Sequence, residues 1–420
     1  MLEHYFIKPD TVDRIRHSWL GTPIEQYVSW LHEQGYTARS VSRRVPLLMH
    51  FSDFARNHGA QTLEDLPAYI DSFVSDWIRE RGINRKSKGA KKEVEKETRG
   101  PIEQFLCLVI SNYHGTGRRR ANIPFLDWAS GFFLYLQEER GLRPTSVRYY
   151  QHHLRLFQKY LTKIELSNIG DLSPVILSAF VIDNGRRLSK SSLTGLCVSL
   201  RVFLRYLYRE RIIFTDLSAH IEQPHKYALS GIPRSISWND VRRMLEGVDR
   251  RLPVGKRDYA ILLLLVTYGL RGREVAALTL DDIDWKRERI RVPERKAGHS
   301  TAYPLTPLVG EAILAYLQIR PSIKDREVFC RVVAPHQPLT YHAISGRASH
   351  YLHKAGVQVA RVGSHTLRHT CVQRLVEADL PFKTIGDYVG HRSPSSTQIY
   401  TKVSIEALRE VALGDGEEII

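Results

Sequence analysis

The feature that most constrains how this chain can fold is a long internal repeat. The stretch YVSWLHEQGYTARSVSRRVPLLMHFSDFA, beginning at Tyr27, aligns with FLYLQEERGLRPTSVRYYQHHLRLFQKYL, beginning at Phe133, at a constant offset of 106 residues. Glu33 matches Glu139, Gly35 matches Gly141, and Ser40 and Val41 match Ser146 and Val147. Leu48 and Phe51 match Leu154 and Phe157, and the register continues through Asp65-Leu66 against Asp171-Leu172, Ile70 against Ile176 and Ser72 against Ser178. Each copy reads as helix, glycine-containing turn, helix, loop, helix. In the second copy Val147, Leu154 and Phe157 make one apolar helix face, with Thr145 or Ser146 as its cap.

A chain of 420 residues is too long for one core, so a further domain is expected beyond the two copies. Two Lys/Arg-rich, Gly-containing stretches, Ile83–Gly100 and His114–Asn122, lie between the copies and read as solvated linkers that together could track a phosphate backbone. A third break, Gln223–Ser235, contains Pro, Gly and Ser and lacks periodicity. The boundaries therefore fall near residues 120 and 230, dividing the chain into 1–120, 121–230 and 231–420. The net charge of +16 points to a polyanionic partner. Cys107, Cys197, Cys330 and Cys371 form no CxxC pair, so a reducing compartment without structural zinc is expected. The longest apolar run, Tyr259–Val266, is too short to cross a bilayer, and the N-terminus lacks the form of a signal peptide. The expectation is a cytoplasmic protein with no membrane contact.

After residue 237 the pattern changes. Ser237 caps a helix, and KRDYAILLLLVTYG gives a buried helix ending at Gly269. Arg271 follows, before a helix with Glu274, Val275 and Leu278. Ile290 and Val292, then Tyr303 and Leu305, flank a Lys-Ala-Gly turn at 296–298, a β-hairpin signal. Helices are expected at 309–319, 341–355, 365–379, 382–389 and 404–413. In GSHTLRHTCVQRLVEADL, Ser364 is the expected cap, which puts His365, Arg368 and His369 on the opening turns, where backbone N–H groups already favour anions.

Cleaving a phosphodiester without a metal needs cations on the non-bridging oxygens, an acid for the leaving oxygen and a nucleophile. Arginine suits the first task because its planar fork holds two phosphate oxygens. Arg271, Lys296, His365, Arg368, His391 and Tyr400 are the candidates. Each has an ordinary reading taken singly: a charge at a helix end for Arg271, a solvated hairpin for Lys296, a helix-end cap for His391, a half-buried aromatic for Tyr400. His365 and His369, four apart, suggest a zinc helix, but Thr366 stands where HExxH requires Glu, and no third ligand lies nearby in sequence. No metal and no cofactor is expected.

Taken together, GLRGREVAAL, HTLRH and GHRSPSSTQIYT resemble the motifs of the tyrosine recombinase (phage integrase) family. Arg271 with Glu274 resembles its first arginine box, and His365, Arg368 and His369 its second. His391 and Tyr400, nine residues apart, resemble its final histidine and tyrosine nucleophile, and Lys296 stands where its hairpin lysine falls. The resemblance covers roughly 237–413, and residues 123–222 resemble the family's helical core-binding domain. The first copy is then an additional domain outside the usual two-domain plan.

The resemblance implies a mainly α fold: two tandem core-binding-like helical domains, then an α-rich catalytic domain with a small antiparallel hairpin or sheet. It implies cleavage and rejoining of DNA through a 3′-phosphotyrosyl link at Tyr400. Arg271 and Arg368 would hold the phosphate, with Lys296 as general acid, His365 in proton transfer, His391 as a hydrogen-bond donor, and Glu274 and His369 in support. The implied partners are duplex DNA and other copies of the chain in a tetramer, with accessory DNA-bending or partner recombinase proteins. The tail Ser404–Gly414 is amphipathic and covers either its own domain or a neighbouring subunit. The alternatives are a type IB topoisomerase-like enzyme, a telomere resolvase, or a non-catalytic DNA-binding module.

Overall fold

The structure is a computed structural model in which residues 1–81, 88–115, 123–225, 235–293 and 300–390 are described. The chain divides into two compact units, one of Met1–Gly115 with Gly231–Ile420 and the other of Thr116–Ser230. Three large apolar cores form within residues 2–110, 125–221 and 241–367.

The first helical copy contains α1 (Leu2–Tyr5), α2 (Pro9–Arg16), α3 (Gly21–Glu33), α4 (Ala38–Asn57), α5 (Ile70–Arg81) and α6 (Lys88–Val109). The second contains α7 (Phe132–Glu138), α8 (Pro144–Lys163), α9 (Pro174–Gly185) and α10 (Lys190–Arg209). The sequence repeat is a structural repeat. Both ends of α8 lie 106 residues beyond those of α4, and the short 3₁₀ turns that follow begin at Leu63 and Ile169, at the same offset. Val41, Leu48 and Phe51 are buried on α4, as Val147, Leu154 and Phe157 are on α8. Gly35 and Gly141 both carry positive φ in the preceding turn.

The copies differ at their caps. On α4 the Thr37 hydroxyl accepts from the Ser40 amide at 3.4 Å. On α8 the cap is Arg143, without a side-chain bond, and Pro144 opens the first turn. Thr145 and Ser146 therefore lie inside the helix rather than at its cap, because proline presets the helical φ and needs no amide partner. The expected linker at Ile83–Gly100 is also corrected. From Lys88 onward it is the first half of α6, where Lys and Glu are good helix formers and Ile102, Phe105 and Leu106 anchor the second half in the core. Its charges are the solvated face of a helix.

The remaining region contains α11 (Trp238–Glu246), α12 (Pro253–Thr267), α13 (Gly272–Ala276), β1 (Ile283–Asp284), β2 (Arg289–Val292), β3 (Thr301–Pro304), α14 (Pro307–Leu317), α15 (Tyr341–Lys354), α16 (Ser364–Glu377) and α17 (Phe382–Val389). Ala260–Val266 of α12 are all buried, so this helix is the central post of the core. Asp258, fully buried, accepts from Arg257 at 2.9 Å and from Arg347 of α15 at 2.6 Å, tying α12 to α15. The expected hairpin forms with Ile290 opposite Tyr303 and Val292 opposite Thr301. β1 adds an antiparallel edge strand through Ile283 opposite Ile290, a two-residue element too short for any alternation to reveal. Among the described residues no helix is long and apolar enough to cross a membrane.

Candidate active site

Four helix ends meet at the site, and tight turns bring them there. α12 stops at Thr267, and Gly269 follows in the left-handed region at φ +59°. A Cβ at Gly269 would lie 3.1 Å from Cys371 Sγ on α16 and 3.2 Å from Val389 Cγ1 on α17, so glycine serves both the turn and the close packing. Two residues on, Arg271 occupies the cap position of α13, at a helix N-terminus rather than a C-terminus. A Cβ at Gly272 would stand 3.0 Å from Ser364 Oγ, so the beginnings of α13 and α16 nearly touch. Ser364 is not the cap of α16: the helix begins at Ser364 itself after Gly363, and the side chain is buried against α13. Tertiary packing has taken the hydroxyl that a free helix would use as a cap.

Glu274 holds Arg271 at two points. Its carboxylate accepts from the Arg271 backbone amide at 2.8 Å and from Nη1 at 2.9 Å. The other terminal nitrogen, Nη2, donates to the Gly390 carbonyl at 2.8 Å. Arg368, only 5% exposed, donates from Nη1 to the Gly269 carbonyl at 2.6 Å and from Nη2 to the Val389 carbonyl at 2.7 Å. The consecutive carbonyls of Val389 and Gly390 thus hold one guanidinium each. They are the carbonyls at the end of α17, where the negative end of the helix dipole favours cations. A carboxylate and a carbonyl fix the plane of the Arg271 fork, and the carbonyls of Gly269 and Val389 fix that of Arg368.

His365 stands one turn before Arg368 on α16; the residue keeps solvent-accessible surface, yet protein atoms crowd its ring and displace much of the water around it. Its pKa is held below the usual histidine value, first by loss of water around the ring and then by the positive charges of Arg368 and Arg271. That coupling puts the ring in the field of both arginines. It favours the neutral imidazole, which can accept a proton. His369 is partly buried on the next position of α16.

Arg271, Glu274, His365 and Arg368 are thus gathered around one corner of the fold, and His369 follows Arg368 in α16. Lys296, His391 and Tyr400 lie outside the described residues, as does the expected helix at 404–413. Sequence reasoning missed the backbone acceptors Gly269, Val389 and Gly390. It also missed a tyrosine group behind them, with Tyr268 and Tyr303 buried and Tyr388 partly so. Tyr303 on β3 donates from its hydroxyl to the Tyr388 carbonyl, and Tyr388 in turn donates to the Thr267 carbonyl at 3.1 Å. Tyr268 donates to the Pro304 carbonyl at 2.7 Å. The available signal was the aromatic residue next to each site motif, in TYG, AYP and YVG.

Comparison with known proteins places this arrangement. Residues 234–406 match the phage integrase family, and residues 129–211 match that family's N-terminal SAM-like domain. Over 280 residues the chain is 30% identical to the tyrosine recombinase XerD of Lacticaseibacillus casei, covering 66% of this chain and 94% of that one. It is 29% identical over 415 residues to a chain of Sinorhizobium fredii that carries the name integrase/recombinase y4rA, covering 97% of this chain and 98% of the relative. That alignment runs through the first helical copy as well as the second. Among solved structures, XerH site-specific recombinase bound to palindromic difH substrate, a post-cleavage complex, shares the fold with a TM-score of 0.54 at 18% identity, over 83% of this chain and 96% of that chain. The chain belongs to the tyrosine recombinase (phage integrase) family. It is a site-specific recombinase, an enzyme that breaks and rejoins DNA strands.

Proposed function

We propose that the chain recombines duplex DNA through a covalent tyrosyl intermediate, with Arg271, Lys296, His365, Arg368, His391 and Tyr400 as the catalytic set. The Tyr400 oxygen attacks the scissile phosphorus and passes its proton to neutral His365. The bond to the 5′ oxygen breaks, and Lys296 protonates that oxygen as it leaves. Arg271 and Arg368 hold the non-bridging oxygens, and His391 adds a hydrogen bond. Glu274 and His369 keep the set in place. One phosphodiester is exchanged for another, so a 5′-hydroxyl from a second strand reverses the step without ATP. The arginines supply the positive charge, so no divalent metal is required for the transfer.

The single observation that carries this reading is the pairing of two guanidiniums on successive carbonyls at the end of α17. Two uncharged acceptors at one helix end fix two cations side by side, as a phosphate with two non-bridging oxygens requires. Exchange between two duplexes cuts four strands, and one tyrosine per copy then calls for four copies on the paired sites, with accessory DNA-bending proteins or a partner recombinase assisting. On this reading 1–120 is an additional helical domain, 121–230 the core-binding domain and 231–420 the catalytic domain, all acting on DNA in the cytoplasm.

The test uses a nicked duplex whose cleaved fragment diffuses away, leaving the protein trapped on DNA. Wild-type chain should accumulate the covalent complex, also in EDTA. Tyr400→Phe should bind the duplex and give none. Covalent complex formed by the Phe variant would remove Tyr400 as the nucleophile.

A further inference from the structure

We infer that Tyr303 is a positioning residue for the strand-cleavage step, acting through the backbone of α17 on the paired arginines. The inference rests on the proposed reading of the site. Tyr303 is 1% exposed and lies on β3, opposite Ile290 of β2. Its hydroxyl donates to the Tyr388 carbonyl, and the next two carbonyls along the chain are those that hold Arg368 and Arg271.

The hydroxyl is therefore anchored one peptide away from the arginine acceptors. A buried phenol must find an acceptor or be left with its desolvation cost, so the contact is strongly specified. Two further tyrosines frame it. Tyr268 lies against Tyr303 with ring centroids 5.1 Å apart, and Tyr388 lies 5.0 Å away edge-on. Tyr388 donates to the Thr267 carbonyl, two residues before the Gly269 carbonyl that holds Arg368. Tyr268 donates to Pro304 and accepts from the Thr306 amide at 3.2 Å. The three rings tie the end of α12, the exit of β3 and the end of α17 into one block. The Gly269, Val389 and Gly390 carbonyls that hold the two guanidiniums belong to that block. Removing the Tyr303 oxygen leaves the rings packed but frees the last turn of α17 to shift. A shift of a few tenths of an ångström there moves both guanidiniums together.

Tyr303→Phe tests this in the full chain. Three readouts are taken: covalent trapping on the nicked duplex, affinity for the uncleaved duplex, and amide hydrogen exchange. The expected result is trapping slowed roughly 10- to 100-fold. Duplex affinity should stay within about twofold, and exchange should quicken at the end of α17 without quickening through α12. A duplex with sulfur at the bridging 5′ position, which leaves without a proton, should show the same fold-loss as the oxygen substrate. Rescue by sulfur would move the effect to the acid and overturn the assignment to the arginines. An unchanged trapping rate would overturn it too, and so would faster exchange through the whole catalytic core, which marks a merely structural role. A wild-type chain that forms no covalent complex would end the proposed function; the exchange readout would then still decide whether Tyr303 holds the end of α17.

Discussion

Arg271 and Arg368 carry the same charge in different settings. Arg271 is partly exposed and tied to a carboxylate, while Arg368 is buried on two neutral carbonyls. The pair adds its charge to what dehydration does to His365. Dehydration and two nearby cations make protonation harder in the folded chain than in the unfolded one. The neutral ring then persists below the ordinary histidine value of 6.5. The single-turnover trapping rate should hold as pH falls through that value and decline only at lower pH. The linkage has the same sign. The ring's contribution to stability is full above the unfolded pKa and is lost as pH falls toward the lowered folded one. A rate limb for His365 centred at the ordinary value, measured against His365→Gln, would show that neither dehydration nor the arginines hold the ring neutral.

At the scale of elements, the site is made by helix ends rather than helix faces. Gly269 is the test of this. Gly269→Ala forces a side chain into the left-handed region and against Cys371 and Val389, which should cost about 1–3 kcal/mol of stability. Because the Gly269 carbonyl also holds Arg368, trapping should fall further than the loss of folded protein explains. Denaturant unfolding together with trapping at saturating folded protein separates the two. Equal losses would mean that the turn matters only for folding. The repeated pairs α4 and α8 show how much of an element is legible beforehand. Their length, apolar face and preceding glycine turn were plain in the sequence because they recur at helical spacing. Their caps were not, since Pro144 and Thr37 solve the same end in different ways. The α6 helix was misread because an exposed, highly charged helix and a solvated linker share a composition.

Over the whole molecule, the positive charge is unevenly shared. Residues 1–115 hold 16 Lys and Arg against 15 Asp and Glu, whereas residues 116–230 hold 17 against 9 and residues 231–420 hold 28 against 21. The first copy keeps the fold of the second without its charge excess. Affinity for a duplex should therefore fall steeply with salt, by roughly 10³–10⁵ between about 50 and 200 mM if about 10 phosphates are neutralised. Most of that dependence should come from residues beyond 115. Neutralising Arg148 and Lys159, both on α8, should reduce the logarithmic salt slope by about 2, and neutralising Arg39 and Arg56 on α4 should change it by less than about 1. Equal changes in binding titrations across salt would show that both copies grip the backbone alike.

Local patterns settled a good deal before any fold was seen. Periodicity marked the repeated helices, the buried α12 and the hairpin, because burial on one face leaves a regular imprint on residue type. The resemblance of the motifs to the tyrosine recombinase family singled out Arg271, Glu274, His365, Arg368 and His369, together with Lys296, His391 and Tyr400, which lie outside the described residues. What no pattern could supply was the means of bringing them together. The acceptors that align the two guanidiniums are main-chain oxygens of Gly269, Val389 and Gly390, and every residue has such an oxygen. Only the packing of α12, α16 and α17 decides which carbonyls turn toward the arginines and which hydroxyls, Ser364 and Tyr303 among them, are taken for contacts between elements.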